Sequence, residues 1–337
     1  MSLFIQASNI HVGGGKTLLL PLLQALQGPA TVYIDERLSD LPPLHPDVAI
    51  FRVKPTILGR WLGERDLARR ASAGDVLLCF GNLPPLFPSK AAVRVYLHNR
   101  YLAENLSTSG LPLRVRLRIA VERMLLRLGL RDAELVVQTQ TMATAAQAKF
   151  GRTPRVIGFA PALPAPAFDG NAIRKFDFVY VASGEAHKNH RRLVEAWTYL
   201  AKMDIRPSLC LTLTEQRDGA LWRWVKDEAE DQGLDIHLRA VSNPGEVARL
   251  LAESGTLIYP SLFEAFGIPM LEAQTAGLAV LAPERDYVRD LLAPQQTFDP
   301  LSARSIARAA MRHLGQTQSS APVLDPATFL DLIKKAP

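Results

Sequence analysis

The sequence predicts an α/β protein of two doubly wound domains that face each other across a cleft. Three observations carry this expectation. Short apolar, β-rich runs alternate with helical patterns, a Pro- and Ala-rich segment interrupts the alternation near mid-chain, and the alternation then restarts. The first set of strand-like runs covers residues 3–7, 31–34, 48–53, 76–80, 93–97 and 135–138. Segment 160–167, with prolines at 161, 164 and 166, can neither donate a regular ladder nor continue a helix, so it reads as a connector. The second set covers 178–182, 208–213, 236–240, 256–259 and 278–282, separated by helical stretches at 190–202, 218–232 and 245–253. The expected division is a first domain at 1–163, a linker at 164–176 and a second domain at 177–319. A helix at about 320–337 is expected to pack back on the first domain. In such parallel sheets ligands bind beyond the carboxyl ends of the strands, so the strand-to-helix loops are where chemistry is sought.

Composition narrows the function classes. With 337 residues, 48% hydrophobic and 21% charged, the chain can bury two cores, and disorder is not expected. The apolar run at 18–26 is broken by Pro21 and Gln24, well short of the roughly 18 residues that a membrane span needs. The first five residues carry neither a basic region nor a cleavage site, so a cytoplasmic enzyme is the expectation. Cys79 and Cys210 each lie in an apolar run without metal-ligand spacing and read as buried thiols. Charge is uneven: residues 1–163 hold 20 Lys and Arg against 11 Asp and Glu, and residues 164–337 hold 19 against 22. The first half therefore suits an anionic partner, although no aromatic-rich basic platform supports nucleic acid.

The most informative segment runs from Tyr259 to Gly277. A buried strand ends at Tyr259, a loop carries Glu264 and Gly267, Pro269 suits the first turn of a helix, and Gly277 closes it. Free backbone N–H groups feeding a helix N-terminus can cradle a diphosphate. Glu264 and Glu272, one on the loop and one in the helix, can reach hydroxyls at opposite ends of a nucleotide-sugar. A second loop, between the run ending at Ala182 and the helix starting near His190, carries Ser183, Lys188, Arg191 and Arg192. Lysine there can neutralise a departing diphosphate as a point charge. A third loop, Gly13-Gly14-Gly15-Lys16-Thr17, fails the Walker pattern because Ile10 stands where a glycine is required, yet three glycines let backbone approach a ligand closely. His98 follows the run at 93–97 and points to the same cleft. His187 and His190 are three apart without a third ligand nearby, so no metal site is assigned.

The Glu264 to Glu272 segment resembles the Glu-x7-Glu signature of the retaining family-4 glycosyltransferases of GT-B fold, with Ala265 in place of the usual glycine. The resemblance implies two Rossmann-like domains, a nucleoside-diphosphate-sugar donor and no cofactor or divalent metal. It gives Glu264 contact with the donor sugar and Glu272 contact with the ribose hydroxyls. The N–H groups of Phe266, Gly267 and Ile268 would approach sugar and phosphate, as would the Gly13, Gly14 and Gly15 loop across the cleft. Lys188 would meet the diphosphate, and His98 the transferred sugar. Where the family often has an arginine this chain has Ser183, so either another residue, such as Arg191 or Arg192, supplies the second positive charge or the leaving group is held less tightly. No Asp-x-Asp occurs, which argues against the metal-dependent GT-A class. The acceptor implied is a saccharide or lipid-linked saccharide of bacterial surface polysaccharide such as O-antigen or lipopolysaccharide.

Residues 114–131 form a basic amphipathic pattern in which Arg116, Arg123 and Arg127 share one face and Leu117, Val121 and Leu128 another. Two readings stand for it: a core-packed helix with a solvated basic face, or docking on anionic lipid at the inner face of the cytoplasmic membrane. Two alternatives to a transferase also stand: a sugar-nucleotide epimerase of the same fold, and a non-catalytic sugar-nucleotide-binding subunit.

Overall fold

The computed structural model describes residues 2–108, 111–130, 132–160 and 174–316. In the first half, strands β1 (Leu3–Ala7), β2 (Ala30–Asp35), β3 (Val48–Val53), β4 (Val76–Cys79), β5 (Ala92–Leu97), β6 (Glu134–Val137) and β7 (Arg155–Val156) form one sheet. The helices are α1 (Gly13–Gln24), α2 (Ile57–Arg70), α3 (Arg100–Ala103), α4 (Leu113–Gly129) and α5 (Gln140–Phe150). In the second half, β8 (Phe176–Tyr180), β9 (Leu209–Leu211), β10 (Ile236–Leu238), β11 (Ser254–Ile258), β12 (Ala279–Pro283) and β13 (Gln296–Phe298) form the other sheet. Its helices are α6 (His190–Ala201), α7 (Glu215–Gln232), α8 (Pro244–Ala252), α9 (Ile268–Thr275), α10 (Asp286–Arg289) and α11 (Ala303–His313).

Every strand pair in both sheets is parallel. Parallel strands need crossovers, and the helices that supply them bury both sheet faces, which is why the strands read as continuous apolar runs. The first sheet runs β3-β2-β1-β4-β5-β6-β7, so the chain moves outward from β1 to β3 and then returns to β4 on the other side of β1. The second runs β10-β9-β8-β11-β12-β13 and reverses between β8 and β11. At each reversal the loops leaving two adjacent strands diverge, opening a crevice at the carboxyl ends.

The first sheet has a core on each side. Leu67 of α2, Ile119 and Leu126 of α4, and Met142 and Ala146 of α5 share one cluster, whereas Leu18, Leu19 and Leu23 of α1 belong to another. In the second half Trp197 of α6 is 1% exposed, and its indole N–H donates to the Pro207 carbonyl at 2.8 Å, so the largest side chain of that core keeps its polar atom satisfied. Cys79 and Cys210 are both buried free thiols. Burial raises the pKa of each, to about 11 for Cys210.

Most of the expected connector at 164–176, and the expected helix at 320–337, lie outside the described residues. The last part of that connector is already sheet, since β8 starts at Phe176 and pairs with β11. Two strands go beyond the expectation. β7 is a two-residue exposed edge strand and β13 a three-residue strand of which only Phe298 is buried.

Candidate active site

The reversal of the second sheet sets two loops side by side. The one leaving β8 carries Lys188 and the one leaving β11 carries Glu264. Their side chains meet, with Lys188 Nζ 2.7 Å from Glu264 Oε1, and the two are only 16% and 11% exposed. Tyr259 and Ser261, both fully buried, donate their hydroxyls to the same Oε1 at 2.9 and 2.6 Å. Burial alone would push the Glu264 carboxyl up. The Lys188 ammonium and the Ser261 hydroxyl outweigh it and hold the carboxyl below its ordinary value, so Glu264 is an anion across the physiological range.

The backbone of the Lys188 loop is tied to that of the Glu264 loop. Leu262 N donates to the His187 carbonyl at 2.8 Å, and the Tyr180 hydroxyl to the Lys188 carbonyl at 2.8 Å. Asn189 ends the short helical turn at 186–188 with φ 64°. Its amide donates to the carbonyls of Pro260 at 3.2 Å and Pro300 at 2.7 Å. None of Tyr259, Ser261 or Asn189 was assigned a role from sequence, although all three lie in the segments that were singled out.

The same loop runs on into α9. Gly267 adopts φ 86°, which is what asks for glycine; a Cβ there would also press on Met270 Cε, the movable end of that side chain, at 2.6 Å. α9 has no side-chain cap at its start; Pro269 in its first turn carries no N–H and Met270 N donates to the Gly267 carbonyl at 3.0 Å, so Ile268 N is the first-turn donor left for a ligand. Glu272 lies one turn in, half-buried, and accepts no hydrogen bond among the described residues. Burial raises its pKa, so ligand hydroxyls that replace lost water would favour its anion.

The first half brings its own pair together. The glycine loop follows β1 and opens α1 without a side-chain cap. Gly13 has φ 67°, and a Cβ on Gly13 or Gly14 would meet nothing within 4 Å. A Cβ on Gly15 would lie 3.2 Å from His98 Cε1 and 3.0 Å from Ile10 Cδ1. His98 follows β5, and its Nε2 lies 3.0 Å from the Phe80 carbonyl and 3.2 Å from the Asn82 amide nitrogen. The closer contact is to a carbonyl, which can only accept, so meeting it puts the proton on Nε2 and leaves Nδ1 as an acceptor, at the expense of the longer contact to the Asn82 amide, which can only donate. Burial lowers the His98 pKa to about 4, and the ring is neutral at physiological pH.

The two halves touch around these groups. Ile268 packs on the cluster that contains Ile10, and the Phe266 ring lies against Gly158, whose absent Cβ would approach Phe266 Cε2 at 3.1 Å. Arg100 donates to the Glu264 carbonyl at 3.2 Å, and the Tyr101 ring meets Phe263 edge-on at 5.4 Å. Arg100 could not be found from sequence, because its target is 164 residues away.

Two expectations need correction. Arg191 and Arg192 do not supply the second positive charge: Arg191 stacks on the Trp224 ring at 4.3 Å and Arg192 pairs with Glu195. Ser183 is itself engaged, donating to Glu185. Arg217, at the start of α7, approaches this loop only through Asp218, the carboxylate that pairs with it. It chelates Asp218, which in turn accepts Gly184 N at 2.9 Å, and it donates to the Thr212 carbonyl at 2.6 Å. On α4, Arg123 does not share a solvated face with Arg116 and Arg127. It turns inward and donates to the carbonyls of Tyr101 and Glu104 at 2.9 Å each.

His187 stacks on Phe263 at 4.7 Å whereas His190 stacks on Tyr180 at 4.8 Å, so the two rings turn to different partners. Among the described residues no three His, Cys, Asp or Glu side chains cluster.

Comparison with known proteins places this geometry. Residues 168–320 match the family model of glycosyl transferases group 1. Over 134 residues the chain is 31% identical to the O-antigen chain mannosyltransferase B of Escherichia coli, a stretch covering 37% of this chain and 34% of that protein. The match thus spans about a third of that relative's length. Among solved structures, WaaG, a glycosyltransferase involved in lipopolysaccharide biosynthesis, superposes with a TM-score of 0.65 at 17% identity, covering 94% of this chain and 91% of its own. HepE of Anabaena in complex with UDP-glucose superposes with a TM-score of 0.65 at 15% identity, covering 93% and 90%. Sucrose-phosphate synthase of Thermosynechococcus elongatus gives 0.66 at 17% identity, covering 93% and 90%. The chain therefore has the GT-B fold of these solved structures, and its residues 168–320 are similar to glycosyl transferases group 1.

Proposed function

We propose that this chain is a retaining glycosyltransferase that moves a sugar from a nucleoside diphosphate to an acceptor hydroxyl, in the assembly of a bacterial surface polysaccharide such as O-antigen or lipopolysaccharide. The observation that carries the reading is the shielded ion pair of Lys188 and Glu264 at the reversal of the second sheet, 2.7 Å apart and fixed by Tyr259 and Ser261. A carboxylate held by three donors is pre-oriented toward sugar hydroxyls, and the ammonium beside it supplies positive charge where the diphosphate departs. Charge fixed in place before reaction lowers the barrier without reorganisation.

In this reading the bond between the anomeric carbon and the diphosphate oxygen breaks while the acceptor oxygen bonds to the same carbon from the same side. The acceptor proton passes to the departing diphosphate, so no side-chain nucleophile is needed. Lys188 and the N–H groups of Phe266, Gly267 and Ile268 hold the negative charge, with the Gly13 to Gly15 backbone opposite. Glu272 takes the ribose hydroxyls, and His98 Nδ1 accepts from a hydroxyl of the transferred sugar. Ser183 lies beside the donor, and Lys188 is the cation that serves the diphosphate. No divalent metal or other cofactor is assigned.

The donor reading is supported by HepE, solved with UDP and with UDP-glucose. The polysaccharide setting is supported by the O-antigen chain mannosyltransferase and by WaaG. The acceptor in this reading is a lipid-linked saccharide at the inner face of the cytoplasmic membrane, approached through α4. Leu117, Val121 and Leu128 of α4 are 65%, 44% and 59% exposed, so this apolar face turns outward rather than into the core. No helix among the described residues is long and apolar enough to cross a membrane.

Donor turnover tests the proposal. Nucleoside diphosphate released only when an acceptor saccharide is added, with the anomeric configuration kept in the product, is the expected result. Epimerised donor without acceptor would replace this reading by an epimerase, and tight donor binding without turnover by a non-catalytic subunit.

A further inference from the structure

Large apolar side chains exposed to solvent are concentrated on one part of the molecule. Of the fifteen among the described residues, ten lie on α2, on α4 or on the loop between β4 and β5. On α2 these are Ile57, Leu58, Trp61 and Leu62, at 93%, 65%, 39% and 51% exposure, clustered on its first two turns. On α4 Leu113 and Met124, at 76% and 53%, extend the exposed row already described. Its spacing of 4, 4, 3 and 4 residues keeps that row on one narrow face, opposite the buried Ile119 and Leu126.

The two helices belong to one surface. Both pack on the same side of the first sheet, in the cluster that holds Leu67 and Ile119. Arg60 of α2 lies close enough to Glu122 of α4 to act on its carboxyl. The loop between them is clamped at both ends: Leu86 N donates to Glu64 at 3.2 Å, and Pro84 fills the space that a side chain at Gly129 would need. That loop adds Leu86, 42% exposed, and Phe87, whose ring meets Trp61 edge-on at 5.7 Å.

The charges left unpaired around this surface are of one sign. Arg65, Arg69, Arg114, Arg116 and Arg127 have no carboxylate within salt-bridge distance among the described residues. The nearby acids are occupied: Glu64 is buried beside Arg60, Asp66 pairs with Arg70, and Glu122 lies against Arg118. A second copy of the chain seated on this face would bring arginine rows against each other. A sheet of anionic headgroups above acyl chains matches both the apolar rows and the arginines that flank them. Trp61, with the Arg65 guanidinium over its ring at 5.1 Å, has the amphipathic character that concentrates tryptophan at the boundary of water and lipid.

We propose that α2 and α4 together form one platform for an anionic lipid surface, in which Ile57, Leu58, Trp61 and Leu62 enter the acyl boundary beside the α4 row. The inference rests on the membrane reading of α4 and adds α2 as an equal contact. α2 begins just past the carboxyl end of β3, and α4, after α3, belongs to the crossover that returns from the carboxyl end of β5 to the start of the parallel strand β6. A platform that includes the start of α2 brings the cleft mouth to the lipid, where a lipid-linked acceptor is presented.

The test uses the full chain and vesicles of phosphatidylcholine with 30% phosphatidylglycerol, compared with phosphatidylcholine alone. The wild type is expected to sediment with the anionic vesicles and to release them as salt rises. The Ile57→Ser, Leu58→Ser double variant should lose tenfold or more in partitioning. Brominated lipid should quench the wild-type tryptophan emission, and Trp61→Phe should abolish that quenching. If the α2 variant binds as the wild type does while Leu117→Ser, Leu128→Ser does not, the α2 claim is overturned and α4 alone remains. If the wild type ignores the vesicles, both claims fall, and the transferase reading, which a soluble acceptor tests separately, is untouched. A wild-type dimer that the α2 variant turns into a monomer, without vesicle binding, would make this face a contact between copies and overturn the proposal.

Discussion

The two walls of the candidate site are built on opposite principles. The rear wall is crowded: Glu264 Oε1 takes three donors, and the loops behind it are tied to each other by main-chain and side-chain bonds. The front wall is bare, with Gly13 and Gly14 offering main chain and nothing within 4 Å of a would-be side chain. One half fixes charge, and the other keeps space for a ligand. Removing a group should therefore be costly at the rear, and adding one should be costly at the front.

The largest effect is expected from Lys188→Ala. It removes charge at the leaving group and leaves Glu264 shielded from water without its counter-ion, so kcat should fall by about 10³-fold and the unfolding midpoint should drop as well. Steady-state kinetics and thermal melts check both parts, and a variant with wild-type kcat would detach the ion pair from the chemistry.

Next comes Gly15→Val, which forces atoms into the contact already at 3.2 Å from His98. We expect a loss of roughly ten- to a hundredfold in kcat/KM, carried mostly by kcat, whereas the methyl of Gly14→Ala enters the open space kept for the ligand and should act mostly on the donor KM, in keeping with the sensitivity of reacting geometry to small displacements. The same split between kcat and KM in the two variants would mean that the loop acts through its flexibility and not through the space it leaves.

A smaller effect belongs to Glu272→Ala. Its carboxylate has no protein partner among the described residues, so its loss should raise the donor KM about tenfold, leave kcat nearly intact, and cost little stability. Titration calorimetry with the donor separates the binding loss from a folding defect.

The smallest change concerns pH. His190 is 2% exposed, neither ring nitrogen has a partner among the described residues, and burial lowers its pKa to about 3. A depressed histidine contributes stability that is fully present above its unfolded value and is lost as pH falls toward its folded value. At pH 5, about 1.5 units below the unfolded value, the loss is about 2 kcal/mol. His190→Phe should remove that share of the acid sensitivity and leave the share of His98, which burial also depresses, as denaturant titrations at pH 7.5 and pH 5 would reveal. Parallel curves for wild type and variant would place the acid sensitivity elsewhere.

Legibility followed the number of neighbours a feature needs. Most strands were readable, because a strand buried on both faces by helices must be apolar throughout, and such runs stand out. β7 and β13 were not, being short and mostly exposed, so no apolar run marks them. Lys188 and Glu264 were singled out by loop position and by resemblance to a known motif, and the structure brings them into contact. Their supports, Tyr259, Ser261 and Arg100, act only through convergence in space, which no local pattern encodes. On α4 the period showed that two faces exist but not which one meets the core. The mostly apolar face turned out to be the exposed one, and Arg123 the anchored one.

Asn189 sets a narrow rule for its own replacement. The position asks for a left-handed main chain and for two hydrogens presented together to the carbonyls of Pro260 and Pro300. Glycine meets the first demand and brings no donor, aspartate tolerates the conformation but would turn an oxygen toward two oxygens, and serine has one hydrogen to give. Glutamine and histidine have the hydrogens at the wrong reach. The residue next to the ammonium is thus the least exchangeable part of its mounting, although it touches no substrate.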